Sequence, residues 1–162
     1  MKKLLVLFIA SSLAFVSCSK DEINDDLNHK EVKANDLPGS SWTVKHIKVH
    51  KANLDGTNLT DKEKTVLEGL IKMSGEKLVL QEADKMYFKL NDHELKGTWK
   101  VNSEKDKWDI VFENDKNLTF ANKATLEIKK GRLYFTLEGM DYTINGKHYV
   151  IEKVEFEMVK HV

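Results

Sequence analysis

From Trp42 onward, apolar side chains recur at every second position in short runs, the spacing of strands with one buried face. Trp42 and Val44 form the first set. Ile47 and Val49 continue it in the opposite parity, which predicts one strand with a bulge midway. Further strands follow from Leu78 with Leu80, then Met86, Phe88 and Leu90, then Leu95, Gly97, Trp99 and Val101, then Trp108, Ile110 and Phe112, then Leu118 with Phe120. Leu126 with Ile128 and the set Leu133, Phe135 and Leu137 flank Lys130-Gly131, while residues 142–144 and 148–150 flank Asn145-Gly146. Glycine supplies the positive φ that a two-residue hairpin loop requires, so both sites read as tight turns. Val154, Phe156 and Met158 give the closing strand.

One segment breaks the two-residue rhythm. Thr60 and Glu63 fit a capping box, Val66, Leu67, Leu70 and Ile71 fall on one side of a 3.6-residue period, and Gly75 supplies a stop. A short helix is expected there, covering something apolar at an open end of a sheet or barrel. The stretch Lys51 to Thr60 before it reads as a long loop.

Eight to ten short antiparallel strands with one early helix fit an all-β fold, a small antiparallel barrel of about eight strands with one short helix after the first. Closure removes the exposed edges that would otherwise recruit other chains. A barrel of that size is either filled by its own side chains or holds one small ligand, and the pattern leaves both open.

The N-terminus belongs to a different regime. Lys2 and Lys3 precede an apolar run from Leu4 to Ala10, and a small-residue site ends at Cys18, the only cysteine in the chain. The run is too short to span a bilayer. It resembles bacterial lipoprotein signals, which implies that Cys18 becomes the first mature residue and carries a diacylglyceryl thioether plus an N-acyl chain. Two or three chains hold a protein stably on a membrane where one does not. Next to the cysteine, Lys20, Asp21 and Glu22 are similar to the short acidic export signal of Bacteroidota surface lipoproteins, which implies the outer membrane and display on the cell surface. The organisation expected is a leader over 1–17, a polar tether over 18–37 and one domain over 38–162. Pro38-Gly39 marks the change from polar to patterned sequence.

Loss of Lys2 and Lys3 with the leader lowers the 26 basic residues to 24, against 26 acidic ones, so no strong field results. Nucleic-acid binding, which needs a row of neutralised phosphates, is not expected. With Cys18 committed to lipid, the domain has no disulfide and must be held by packing.

Gly39, Ser40, Ser41 and Trp42 at the first strand, the run Leu95 to Val101 with Gly97 and Trp99, and the run Trp108 to Phe112 resemble the lipocalin-like domains of small Bacteroidota lipoproteins. That resemblance implies a barrel closed at one end beneath the first strand and a small apolar or amphipathic ligand. Trp42, Phe88, Trp99 and Phe135 would then line an apolar pocket. On their own residues the same aromatics can equally be core.

Chemistry is sparse. His46 and His50 would sit about 13 Å apart along a strand, too far to share a metal, and His93, His148 and His161 have no cluster around them in the sequence. The chain carries no Gly-rich phosphate loop, nucleophile elbow or zinc-protease helix. No enzyme, metal or cofactor is therefore expected. The expectation is a lipid-anchored binding module for a small apolar or amphipathic ligand. The alternatives are a protein-interaction lipoprotein such as a protease inhibitor, or an accessory subunit of a surface complex.

Overall fold

The computed structural model describes residues 31–73, 76–90, 93–102, 104–113 and 121–161. The leader, Cys18 and the acidic residues after it, the Gly75 stop and the strand expected at Leu118 and Phe120 lie outside the described residues.

Among the described residues nine strands form one antiparallel sheet; along the chain they are β1 (Ser40–Leu54), β2 (Thr57–Asn58), β3 (Lys77–Leu80), β4 (Lys85–Leu90), β5 (His93–Val101), β6 (Lys107–Phe112), β7 (Lys123–Lys129), β8 (Arg132–Ile144) and β9 (Lys147–Lys160), and in the sheet β1 lies between β2 and β3, with the rest following in chain order. β1 pairs with β3 over Ser40 to Thr43 and with β9 from Trp42 to Leu54, so the sheet closes into an eight-stranded barrel. The two-residue β2 only extends the far end of β1, through Asn53 and Leu54. The fold class read from the pattern is the one found, with, among the described residues, a single α-helix, α1 (Asp61–Lys72), after the first strand.

The parity change in β1 is real: the register with β9 shifts between Val44 and His46, and Trp42 and Val49 are both buried despite their odd separation. The stretch from Lys51 to Thr60 is not a long loop. β1 continues to Leu54 and turns back at Asp55-Gly56, where both residues have positive φ, 51° and 81°. An Asp-Gly pair at the head of two paired strands is itself a hairpin signal, and it explains the correction. The strands of the last third are also fewer and longer than their patterns suggest. β8 and β9 run unbroken through bends, because the buried parity of β8 changes between Leu137 and Met140, around Gly139 with φ of 64°.

Both predicted tight turns are present. Lys130 and Gly131 have φ of 49° and 71°, and Asn145 and Gly146 have 52° and 74°, the doubled left-handed geometry whose twist matches that of paired strands. The capping box at α1 is complete, with Glu63 N–H donating to Thr60 Oγ1 and Thr60 N–H donating to Glu63 Oε2 at 2.8 Å.

Candidate functional site

Three places in the barrel bear on binding: its centre, the gap that α1 covers, and the rim where the chain enters the domain. At the centre, inward positions of β4, β8 and β9 place Phe88, Phe135 and Phe156 together, with centroid separations of 4.7, 5.4 and 6.2 Å. All three are fully buried, as are Leu78, Leu126, Leu133 and Leu137 around them in the core. A ring with no exposed surface touches no space that even a water molecule could enter, so at this level the barrel is filled by its own side chains.

The four aromatics singled out from the sequence are all inward, but they do not form one group. Phe88 and Phe135 are the central pair. Trp42 lies near the entry rim, where its Nε1–H donates to Ser40 Oγ at 2.6 Å and the Ser40 hydroxyl donates to the carbonyl of Leu37. This chain of bonds holds the 3-10 turn Ala34–Asp36 and the buried Leu37 against the barrel end. Trp99 meets Trp108 edge-on at 6.1 Å, and the register of β5 with β6 places both near the end of the barrel where these two strands connect. Trp99 Nε1 is buried with no hydrogen-bond partner.

β3 stops pairing with β1 at Thr43 and the pairing with β2 begins only at Asn53, which leaves the intervening edge of β1 without a strand. α1 occupies that edge. Leu67 and Ile71 are buried, Val49 N–H donates to Glu68 Oε1 at 2.7 Å, and Lys64 Nζ donates to the carbonyl of His50 at 3.4 Å. Glu76 lies just past α1 and shares the inward parity of Leu78 and Leu80. It is 7% exposed, its Oε1 has no partner, and burial pushes its carboxyl up to about 7 against the weaker pulls of a hydrogen bond from its own amide and of the Lys72 charge. Sequence reasoning passed over Glu76. A carboxylate in phase with an apolar strand face was the available signal.

At the entry rim, the segment before the 3-10 turn and two strand connections enclose an open cleft of about 320 Å³. Val32 N–H donates to the carbonyl of Gly131 at 2.8 Å, and Ile128 N–H donates to the carbonyl of Asp106 at 2.9 Å; these bonds fix its walls. Val32, Ala34 and Ile128 supply apolar lining, while Lys33, Lys105, Lys130, Glu31 and Asp106 supply charge. Among the described residues, none of the three ammonium groups is in an ion pair. No side-chain pattern in the sequence could have joined these residues, which come from three separate segments.

Among the described residues no group of three His, Cys, Asp or Glu side chains is arranged to hold a metal. His50 and His148 instead face single carboxylates, Glu155 at 4.0 Å and Asp141 at 3.5 Å. No protein family, no curated protein and no solved structure matches this chain.

Proposed function

We propose that this chain is a lipid-anchored binding module of the outer membrane that takes an amphipathic ligand at the rim of a lipocalin-like barrel rather than in its centre. The observation that carries the reading is the closed packing of Phe88, Phe135 and Phe156. A filled centre leaves an end cleft with apolar lining and a charged edge as the place where an amphiphile fits. The anchor rests on Cys18, and surface display rests on Lys20, Asp21 and Glu22. Intact mass of membrane-extracted protein should show acyl additions on Cys18, and Cys18→Ser should release the chain from the membrane. An unmodified mass would sink the anchored reading. Replacing Asp21 and Glu22 by alanine should preserve lipidation and lower protease accessibility on whole cells; a wild-type chain already shielded from protease would overturn surface display. Native mass spectrometry with amphiphiles of varied headgroup tests the binding role, and absence of any adduct counts against it.

A second reading, a protein-interaction module, has its own observation. Val66 and Met73 lie seven residues apart, Val66 on α1 and Met73 at its C-cap, and are 63% and 77% exposed. An apolar pair facing outward from a capped helix suits a protein contact. Val66→Lys with Met73→Lys should abolish co-purification of a partner from membranes while leaving amphiphile binding intact. An unchanged partner profile would remove this reading.

A further inference from the structure

We infer that the rim cleft is a headgroup site selective for a singly charged phosphodiester, the linkage that joins a phospholipid's glycerol to its polar head. The inference rests on the proposed amphiphile-binding role and names its ligand class.

Three lysines converge from three chain segments that are far apart in sequence: Lys33 before the 3-10 turn, Lys105 between β5 and β6, and Lys130 between β7 and β8. Unlike Lys51, Lys64, Lys107 and Lys129, whose ammonium groups sit within 3.1 Å of a carboxylate, these three have no such partner. Lysines without a carboxylate partner that line one recess offer donors to an anion there. Glu31 and Asp106 line the same cleft and set an upper limit on the charge it accepts. With three cations and two carboxylates the site is singly positive. A diester, with one negative charge, balances it; a monoester, with about 1.5 to 2 charges at neutral pH, meets the two carboxylates with excess repulsion. The carboxylates also offer a partner to the ammonium of a zwitterionic head.

The cleft's position agrees with a lipid source. The chain reaches it directly from the tether, since Glu31 and Val32 form one wall. Thirteen residues, 18–30, precede it and span at most about 45 Å when extended, so the lipid on Cys18 and the cleft can engage the same leaflet. The apolar lining at Val32, Ala34 and Ile128 would meet the glycerol and first methylenes below the head.

The experiment uses the mature protein in neutral detergent, studied by native mass spectrometry. The lipid probes are phosphatidylethanolamine, phosphatidylglycerol, phosphatidate, which is a monoester, and diacylglycerol, which has no phosphate. The water-soluble probes are glycerophosphoethanolamine and inorganic phosphate. Both diester lipids should be retained at least about tenfold better than phosphatidate or diacylglycerol. Lys33→Gln, Lys105→Gln and Lys130→Gln together should erase that margin, and the three arginine replacements should keep it. Equal retention of all four lipids with a silent triple variant overturns the headgroup site and leaves the amphiphile-binding role standing. Glycerophosphoethanolamine bound through the lysines without any lipid adduct upholds the diester site, assigns it to a free ligand and removes the amphiphile role. Preference for phosphatidate or inorganic phosphate overturns the charge argument.

Discussion

The rings of Phe88 and Phe135 meet at 4.7 Å between centroids in the middle of the barrel, tilted by 52°, and neither has any exposed surface. Their contact joins β4 to β8, strands that are not neighbours in the sheet. The ring pair therefore ties opposite parts of the wall together through the interior, with Phe156 of β9 as the third member.

Phe135→Ala removes one of three mutually contacting rings and leaves a void that a closed sheet relaxes into only partly. The expected cost is about 3 to 5 kcal/mol, a large share of the stability of a domain this size. Urea unfolding of the purified protein measures it. A loss below about 1 kcal/mol would mean that the centre is loosely packed, and would reopen it as a ligand cavity.

Gly146 isolates the backbone contribution to a turn. Its φ is 74°, and a methyl group built there would meet nothing within 4 Å. Gly146→Val should therefore destabilise through strain alone, by about 1 kcal/mol or more, with little change in the urea slope. Gly131 behaves differently. It has φ of 71°, and a methyl group there would lie 2.5 Å from Glu31 Cγ, so substitution also forces the Glu31 side chain to move aside.

These two turns show what was legible in the sequence. Asn145-Gly146, Lys130-Gly131 and the Thr60/Glu63 cap are local devices whose geometry depends on adjacent residues, so their positions could be read directly. The alternation gave most of the inward faces among the described residues for the same reason, since a strand's parity is a local property; Val101, at the end of β5, is the exception and is exposed. What could not be read was set by distant pairing. The continuity of β8 and β9 through a parity change at Gly139, and the extension of β1 to Leu54, depend on which strand lies alongside. The rim cleft is the extreme case, because Lys33, Lys105 and Lys130 share no local pattern. Phe88 and Phe135 were legible as inward aromatics, but whether inward meant core or pocket depended on how closely opposite walls approach.

Glu76 makes stability depend on pH in a direction opposite to that of a salt-bridged acid. Its carboxyl stands at about 7 in the folded chain against 4.5 in the ordinary state, so the folded form holds a proton that the unfolded form gives up in that interval. Stability contributed by the protonated group is complete below about 4.5, falls as pH rises toward 7, and levels off above it. The full swing is on the order of 3 kcal/mol as an upper bound, at 1.36 kcal/mol per unit. Glu76→Gln should flatten this part of the profile and raise the urea midpoint at pH 8. A wild-type midpoint that does not fall between pH 5 and 7.5, relative to the variant, would argue that the carboxylate finds solvent or a partner.

The seat of α1 depends on a bond that crosses from helix to strand. Val49 is 1% exposed, and its amide lies on the edge of β1 that no strand covers; Glu68 Oε1 accepts from it at 2.7 Å. Glu68→Ala would leave that buried N–H without a partner, at a cost of about 1 to 3 kcal/mol, whereas Glu68→Gln keeps an acceptor oxygen and should cost less. Amide hydrogen exchange separates this from a general loss of stability. In Glu68→Ala the Val49 amide should exchange faster, and the α1 amides from Leu67 to Ile71 should follow it, while β6 and β7 at the opposite wall keep their protection. Uniform acceleration across the barrel would show that α1 is part of one cooperative unit. Unchanged exchange at Val49 would show that the leucine and isoleucine contacts of α1 hold the helix without the carboxylate.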